Sequence, residues 1–139
     1  MCAHIFAELK WQGINCEMAL EYAKDKVWEK SFKVFDGQLY IAGKQFHRVN
    51  RLAGEVDVII TDSPLPLSIV YNKIANGDFD KTIMDHFHRF KNVNYLINRQ
   101  KEYNPAGRFQ DADGAKEVDR TVLDMMHRED IMYRLVEGS

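Results

Sequence analysis

Three apolar runs in this chain stop at a charge. INCEMAL ends at Glu21, VDVIIT at Asp62 and VNYLIN at Arg99. A carboxylate carried on a buried strand tip is how phosphate-handling sites hold magnesium: the hard cation takes oxygen ligands, and the strand fixes where they stand. The competing role for Asp62 is a cap on the segment that starts at Ser63-Pro64. Glu21 is followed by Tyr22 and, one helix later, by Trp28. A carboxylate beside aromatic rings can take a hydroxyl proton while a ring stacks on a nucleoside. Core packing is the commoner role for such a Trp28. Gln45 and Arg48, three residues apart, are neighbours on one helix face and could grip a polar ligand or simply face solvent. Arg99, Lys101 and Arg108 make KEYNPAGRFQ, with its Asn, Pro and Gly, a basic turn-rich loop. Such a loop would lend charge to a transferring phosphoryl group, or would be an ordinary solvated loop.

Other chemistries are excluded by spacing. His86 and His88 are two apart on an expected helix and point to different faces, which does not suit a zinc pair. GQLYIAGKQ has five residues between its glycines and Gln45 where a phosphate loop needs Ser or Thr, so it is no Walker A loop. Cys2 and Cys16 are too few for a disulfide scaffold and fit a reducing cytoplasm.

The elements that must position these side chains follow from periodicity. Ala3, Phe6, Ala7 and Leu9 repeat at helical spacing, with Gly13 placed to end the helix. Residues 14–20 read as a strand, 22–30 and 36–52 as helices, the second with Leu39, Tyr40, Phe46 and Val49 along its inner side. The β-branched run from Val56 to Thr61 reads as a strand covered on both faces. Residues 80–90 (Ile83, Phe87 and Phe90 inward), 93–98, 112–128 and 131–136 then alternate helix, strand, helix, strand. This rhythm predicts an α/β fold with a parallel sheet between helical layers, and ligands outside the carboxyl ends of its strands.

The totals agree with one domain. The chain has 139 residues, 45% hydrophobic and 29% charged, with a formal net charge of −2. That balance gives no electrostatic reason to expect nucleic acid or an anionic membrane. No apolar run approaches the roughly 18 residues of a membrane span, and MCAHIFAELKW does not have the layout of a secretory leader.

The blocks ALEYAKDKVWEK, KQFHRVNRL, VDVIITDSPLPLSIVYNK, YLINRQKEYNPAGRFQ and AKEVDR, in this order, resemble the phage-encoded AAA-like P-loop ATPases or kinases, related to the nicotinamide-riboside kinase domain of NadR proteins. The resemblance covers nearly the whole chain. It implies a P-loop NTPase-like parallel sheet, ATP and magnesium as ligands, and Asp62 as the Walker B-type acid. It makes Glu21 a base or substrate-hydroxyl ligand, places Tyr22, Trp28, Gln45 and Arg48 around a nucleoside-like acceptor, and assigns Arg99 and Arg108 to a lid over residues 99–111.

One departure is large. The family opens on a strand and a G-x-x-x-x-G-K-[ST] loop, and neither is in this sequence; Met1-Cys2-Ala3-His4 corresponds to the helix after that loop. In the family's order the strand lies centrally, between the strands ending here at Asp62 and Asn98. The expectation is an N-terminally incomplete domain that binds ATP poorly and turns it over negligibly. The alternative is a naturally shortened, non-catalytic descendant that binds a nucleotide or a protein partner, with an oligomer filling the gap.

Overall fold

The computed structural model describes residues 1–74, 76–98 and 112–138, without the side chains at 34, 35 and 112–115. The lid expected over residues 99–111, with Arg99 and Arg108, lies outside the described residues. The elements in order are α1 (Cys2–Trp11), β1 (Cys16–Met18), α2 (Tyr22–Trp28), a 3-10 turn (Phe32–Asp36), α3 (Gln38–Asn50), β2 (Val58–Ile60), α4 (Leu67–Tyr71), α5 (Gly77–Phe87), β3 (Tyr95–Asn98), α6 (Ala112–Arg128) and β4 (Arg134–Glu137).

Helix ends follow local chemistry. Gly13, at φ +78°, ends α1: its N–H donates to the Lys10 carbonyl, and the Ile14 N–H donates to the Leu9 carbonyl at 2.9 Å. The same pair of bonds closes α2 around Lys30 (φ 59°) and α6 around Asp130 (φ 53°), where a side chain pays for a left-handed backbone. At the start of α5 the Asn76 side chain accepts from the N–H groups of Asp78 and Phe79.

The helices make the core. Ala42 of α3, Leu65, Ile69 of α4, Ile83, Met84 and Phe87 of α5, Met125 and Met126 of α6, and Ile131 form one buried cluster, with Leu96 of β3 packed against it. The inner stripe of α3 differs from the expected one. Gln38, Ile41, Ala42 and Gln45 are buried, whereas Leu39 is 74% exposed and Tyr40 51%. Hydropathy drew the stripe through Leu39 and Tyr40, but the buried line is set by the two glutamines, whose polarity hides it. Helix α4 was not among the expected elements; Pro66 stands at its N-cap, where a missing N–H costs nothing.

All four strands pair in parallel, but not in one sheet. β1 pairs with β2, with Cys16 opposite Val58 and Met18 opposite Ile60. β3 pairs with β4, with Tyr95 opposite Arg134 and Asn98 opposite Glu137. Among the described residues there are two two-stranded sheets, so the fold is mixed α/β with small parallel sheets. The expected burial of β2 on both faces fails: Val58 is 37% exposed and Ile59 and Ile60 are half-buried. A two-stranded sheet leaves each strand one edge without a ladder. In this register Val58 and Ile60 bond to β1, which turns the Ile59 N–H and C=O outward. Tyr95 and Ile97 stand likewise on β3.

Candidate functional site

Asp62 follows the tip of β2 and is exposed. Among the described residues it makes no hydrogen bond or ion pair; the turn that follows is held by Thr61, whose Oγ1 accepts from the Ser63 N–H at 3.0 Å. The capping role that competed for Asp62 is thus filled by its neighbour. Helix α1 packs on β1 and on β2, the strand that leads to this acid. The Cys2 thiol is pushed above its ordinary pKa by burial first, and then by the negative charge of Asp62. The first turn of α1 carries no acidic residue and no side-chain cap. Its leading N–H groups therefore put a partial positive charge near the Asp62 carboxylate.

Could Asp62 serve a metal? Among the described residues no group of three or more His, Cys, Asp or Glu side chains converges on one point. An all-protein calcium or zinc cage is not built there. A lone exposed carboxylate does fit magnesium, which keeps several waters and takes much of its shell from nucleotide phosphates.

Glu21 stands at the N-cap of α2 without a side-chain cap bond, and α3 fixes the backbone on both sides of it. Gln45, 4% exposed, accepts the Tyr22 N–H on Oε1 at 2.9 Å and donates from Nε2 to the Leu20 carbonyl at 3.3 Å. Arg48 donates to the same carbonyl at 3.1 Å and to Asp25 Oδ2 at 2.6 Å. The three-residue spacing of Gln45 and Arg48 does put them side by side. Both ends of the Gln45 amide are spent on backbone, so it acts as a clamp on the β1–α2 junction. Arg48 also lies 5.3 Å from the centre of the Tyr22 ring.

Tyr22 is buried, and its hydroxyl donates to Tyr40 at 3.2 Å. Trp28 is 64% exposed, so the core-packing role is not the one it takes. The structure therefore brings Glu21, Tyr22, Gln45 and Arg48 together around one junction, joined by Tyr40, Lys26 and Asp25, which the sequence reading did not single out. A signal for two of them was present: Tyr22–Lys26 and Tyr40–Lys44 are both Tyr-x-x-x-Lys pairs at helical spacing. Burial, followed by the bond to Tyr40, raises the Tyr22 pKa above its ordinary value. The Tyr40 pKa is lowered, chiefly by the hydrogen bond from Tyr22 and further by Lys44 and Lys26.

Both cysteines are free thiols, and no helix among the described residues is long and apolar enough to cross a membrane. Comparison with protein-family models, with curated proteins and with solved structures finds no match to this chain.

Proposed function

We propose that this chain carries the acidic part of a P-loop-type nucleotide site, that of a phosphotransferase or ATPase using ATP and magnesium, with Asp62 as the metal-facing acid. The observation that supports it is that α1 packs on β2 and its first-turn Cys2 feels the charge of Asp62 just beyond that strand. A helix N-terminus attracts phosphate oxygens, and a carboxylate at a strand tip holds the cation that goes with them. Magnesium, when bound through water to Asp62, would neutralise charge on the phosphates. Glu21 would orient or deprotonate an acceptor hydroxyl, with its backbone clamped by Gln45 and Arg48 and with Tyr22 and Trp28 beside a nucleoside or nicotinamide-riboside-like acceptor. Arg99 and Arg108 would supply charge from a lid.

The sequence contains no G-x-x-x-x-G-K-[ST] loop, so the chain by itself is expected to bind ATP weakly and to hydrolyse it negligibly. The test extends the protein before Met1 with a β-strand and such a loop, and measures ATP binding by calorimetry with and without magnesium. Gain of magnesium-dependent binding, lost in Asp62→Asn, is the expected result. Magnesium-dependent hydrolysis by the unextended chain at about 1 per second or faster would overturn it, as would binding indifferent to Asp62→Asn.

A second role, a non-catalytic nucleotide- or protein-binding relative of such kinases, is favoured by the outward backbone groups of Ile59, Tyr95 and Ile97. It predicts a folded 139-residue protein that forms a defined oligomer on sedimentation; a molten, aggregating chain would rule it out.

A further inference from the structure

Two helices present matching tyrosine–lysine pairs to one another. On α2, Lys26 lies 5.3 Å from the Tyr22 ring centre; on α3, Lys44 lies 5.5 Å from the Tyr40 ring centre. The two rings meet edge to face at 6.0 Å, and their hydroxyls are 3.2 Å apart. Donation runs one way along this contact. Glu29 holds the Lys26 ammonium at 2.8 Å, Lys26 approaches the Tyr22 hydroxyl, and Tyr22 gives its proton to the Tyr40 oxygen. A phenol has one proton. That of Tyr40 is therefore left to point outward, and among the described residues nothing accepts it. The Tyr40 residue is half exposed.

The cations divide unequally. Lys26 is paired with Glu29 and Arg48 with Asp25, whereas Lys44 has no carboxylate within ion-pair distance among the described residues. The surface thus shows one unneutralised ammonium beside one outward O–H donor, on a stiff helix. Each donor strengthens the next along such a chain, because a hydroxyl that accepts a hydrogen bond becomes a better donor. An acceptor with negative charge and two or more oxygens matches this pair, since charge-assisted bonds are the stronger kind. A neutral hydroxyl or an apolar ring would leave Lys44 unanswered.

We propose that Tyr40 and Lys44 form an oxyanion-binding site, with Tyr22 and Lys26 as the positioning pair behind it, that takes a phosphate or carboxylate group of a small ligand. If the nucleotide role of Asp62 holds, this site would take an anionic group carried by the nucleoside-like acceptor. The oxyanion site itself does not rest on Asp62.

The test uses the full chain with tyrosine labelled at the Cζ carbon, titrated by NMR with inorganic phosphate, and separately with acetate, against chloride at equal ionic strength. Phosphate is expected to move the Tyr40 signal to saturation with a Kd of about 1–10 mM, and the acetate arm decides whether one carboxylate suffices. Lys44→Gln, read at the Tyr40 signal, and Tyr40→Phe, read at the signal of the adjoining Tyr22, each weaken binding about fivefold or more. Both side chains are exposed, so both variants stay folded at the titration temperature, which a circular dichroism melt checks; Lys44→Gln melts like the parent, and Tyr40→Phe, which takes the acceptor from the Tyr22 hydroxyl, melts somewhat lower. Asp62→Asn titrates like the parent, which separates this site from the proposed nucleotide site. A Tyr40 signal that follows neither anion beyond the chloride control overturns the proposal, and so does Lys44→Gln binding as tightly as the parent.

Discussion

Replacing Gln45 by leucine tests whether the β1–α2 junction is held as described. Leucine keeps much of the side-chain volume, so no large cavity opens, but both amide bonds are lost. The Tyr22 N–H loses its acceptor in a buried setting, which costs about 1–3 kcal/mol because the group is neither solvated nor paired. The Leu20 carbonyl keeps its bond from Arg48 and adds little. The expected loss is therefore about 1–3 kcal/mol, or a melting temperature lower by about 3–9 °C for a chain of this size. Urea denaturation followed by circular dichroism measures the first, and a thermal melt the second. Amide exchange supplies the local readout: the Tyr22 N–H should be protected in the parent and exposed early in Gln45→Leu. Combining it with Arg48→Leu strips the Leu20 carbonyl of both donors, so the double variant should lose more than the two single losses together. Leu39→Ala, on the exposed side of the same helix, should stay within about 0.5 kcal/mol of the parent. A Gln45→Leu protein as stable as the parent, or a Tyr22 amide that exchanges at once in the parent, would refute the clamp.

Acid should weaken the fold through two surface carboxylates. Asp36 is held below its ordinary pKa of 3.8, first by its hydrogen bonds to Lys33 and Lys73, and Asp85 below the same value by Lys81. A carboxylate depressed in the folded state contributes stability that is present above 3.8 and lost as pH falls through the folded value. The Asp36→Asn, Asp85→Asn pair of changes should flatten the stability profile in that acid window, and parallel profiles would exclude the linkage. Lys30→Gly relieves a left-handed backbone at φ 59° and should raise stability by about 0.5–1 kcal/mol, read from the urea midpoint; a loss would mean that the Lys30 side chain makes a compensating contact.

Helix α6 was legible to the residue, because a long amphipathic pattern outweighs every local uncertainty. The strands were legible as strands from short apolar runs that stop at charged or turn residues, β2 most clearly through its β-branched side chains. Their ends were not: residues 14–20 and 56–61 shrink to Cys16–Met18 and Val58–Ile60, because ladders, rather than propensity, decide where a strand stops. The face of α3 was misread, since the residues buried against α2 and the core include Gln38 and Gln45. A buried glutamine announces itself only through its partners, here two backbone groups more than twenty residues away in sequence. For the same reason Gln45 looked like a ligand contact when its hydrogen bonds are internal. The charged residues after β1 and β2 were visible at once. The neighbour that gives Asp62 its setting, the start of α1, was visible only in three dimensions.

The parallel pairing of both sheets also constrains how the chain can reach its fold. Neither sheet contains a hairpin: roughly 40 residues of chain separate the partners in each ladder, so every ladder bond first incurs the entropy of closing a long loop. Early folding must therefore be helical, with α3, α5 and α6 finding one another while the strands are still unpaired. The β-branched strand ahead of Asp62 would then be among the last parts to settle, and the time it spends unpaired is the chain's main opportunity to aggregate.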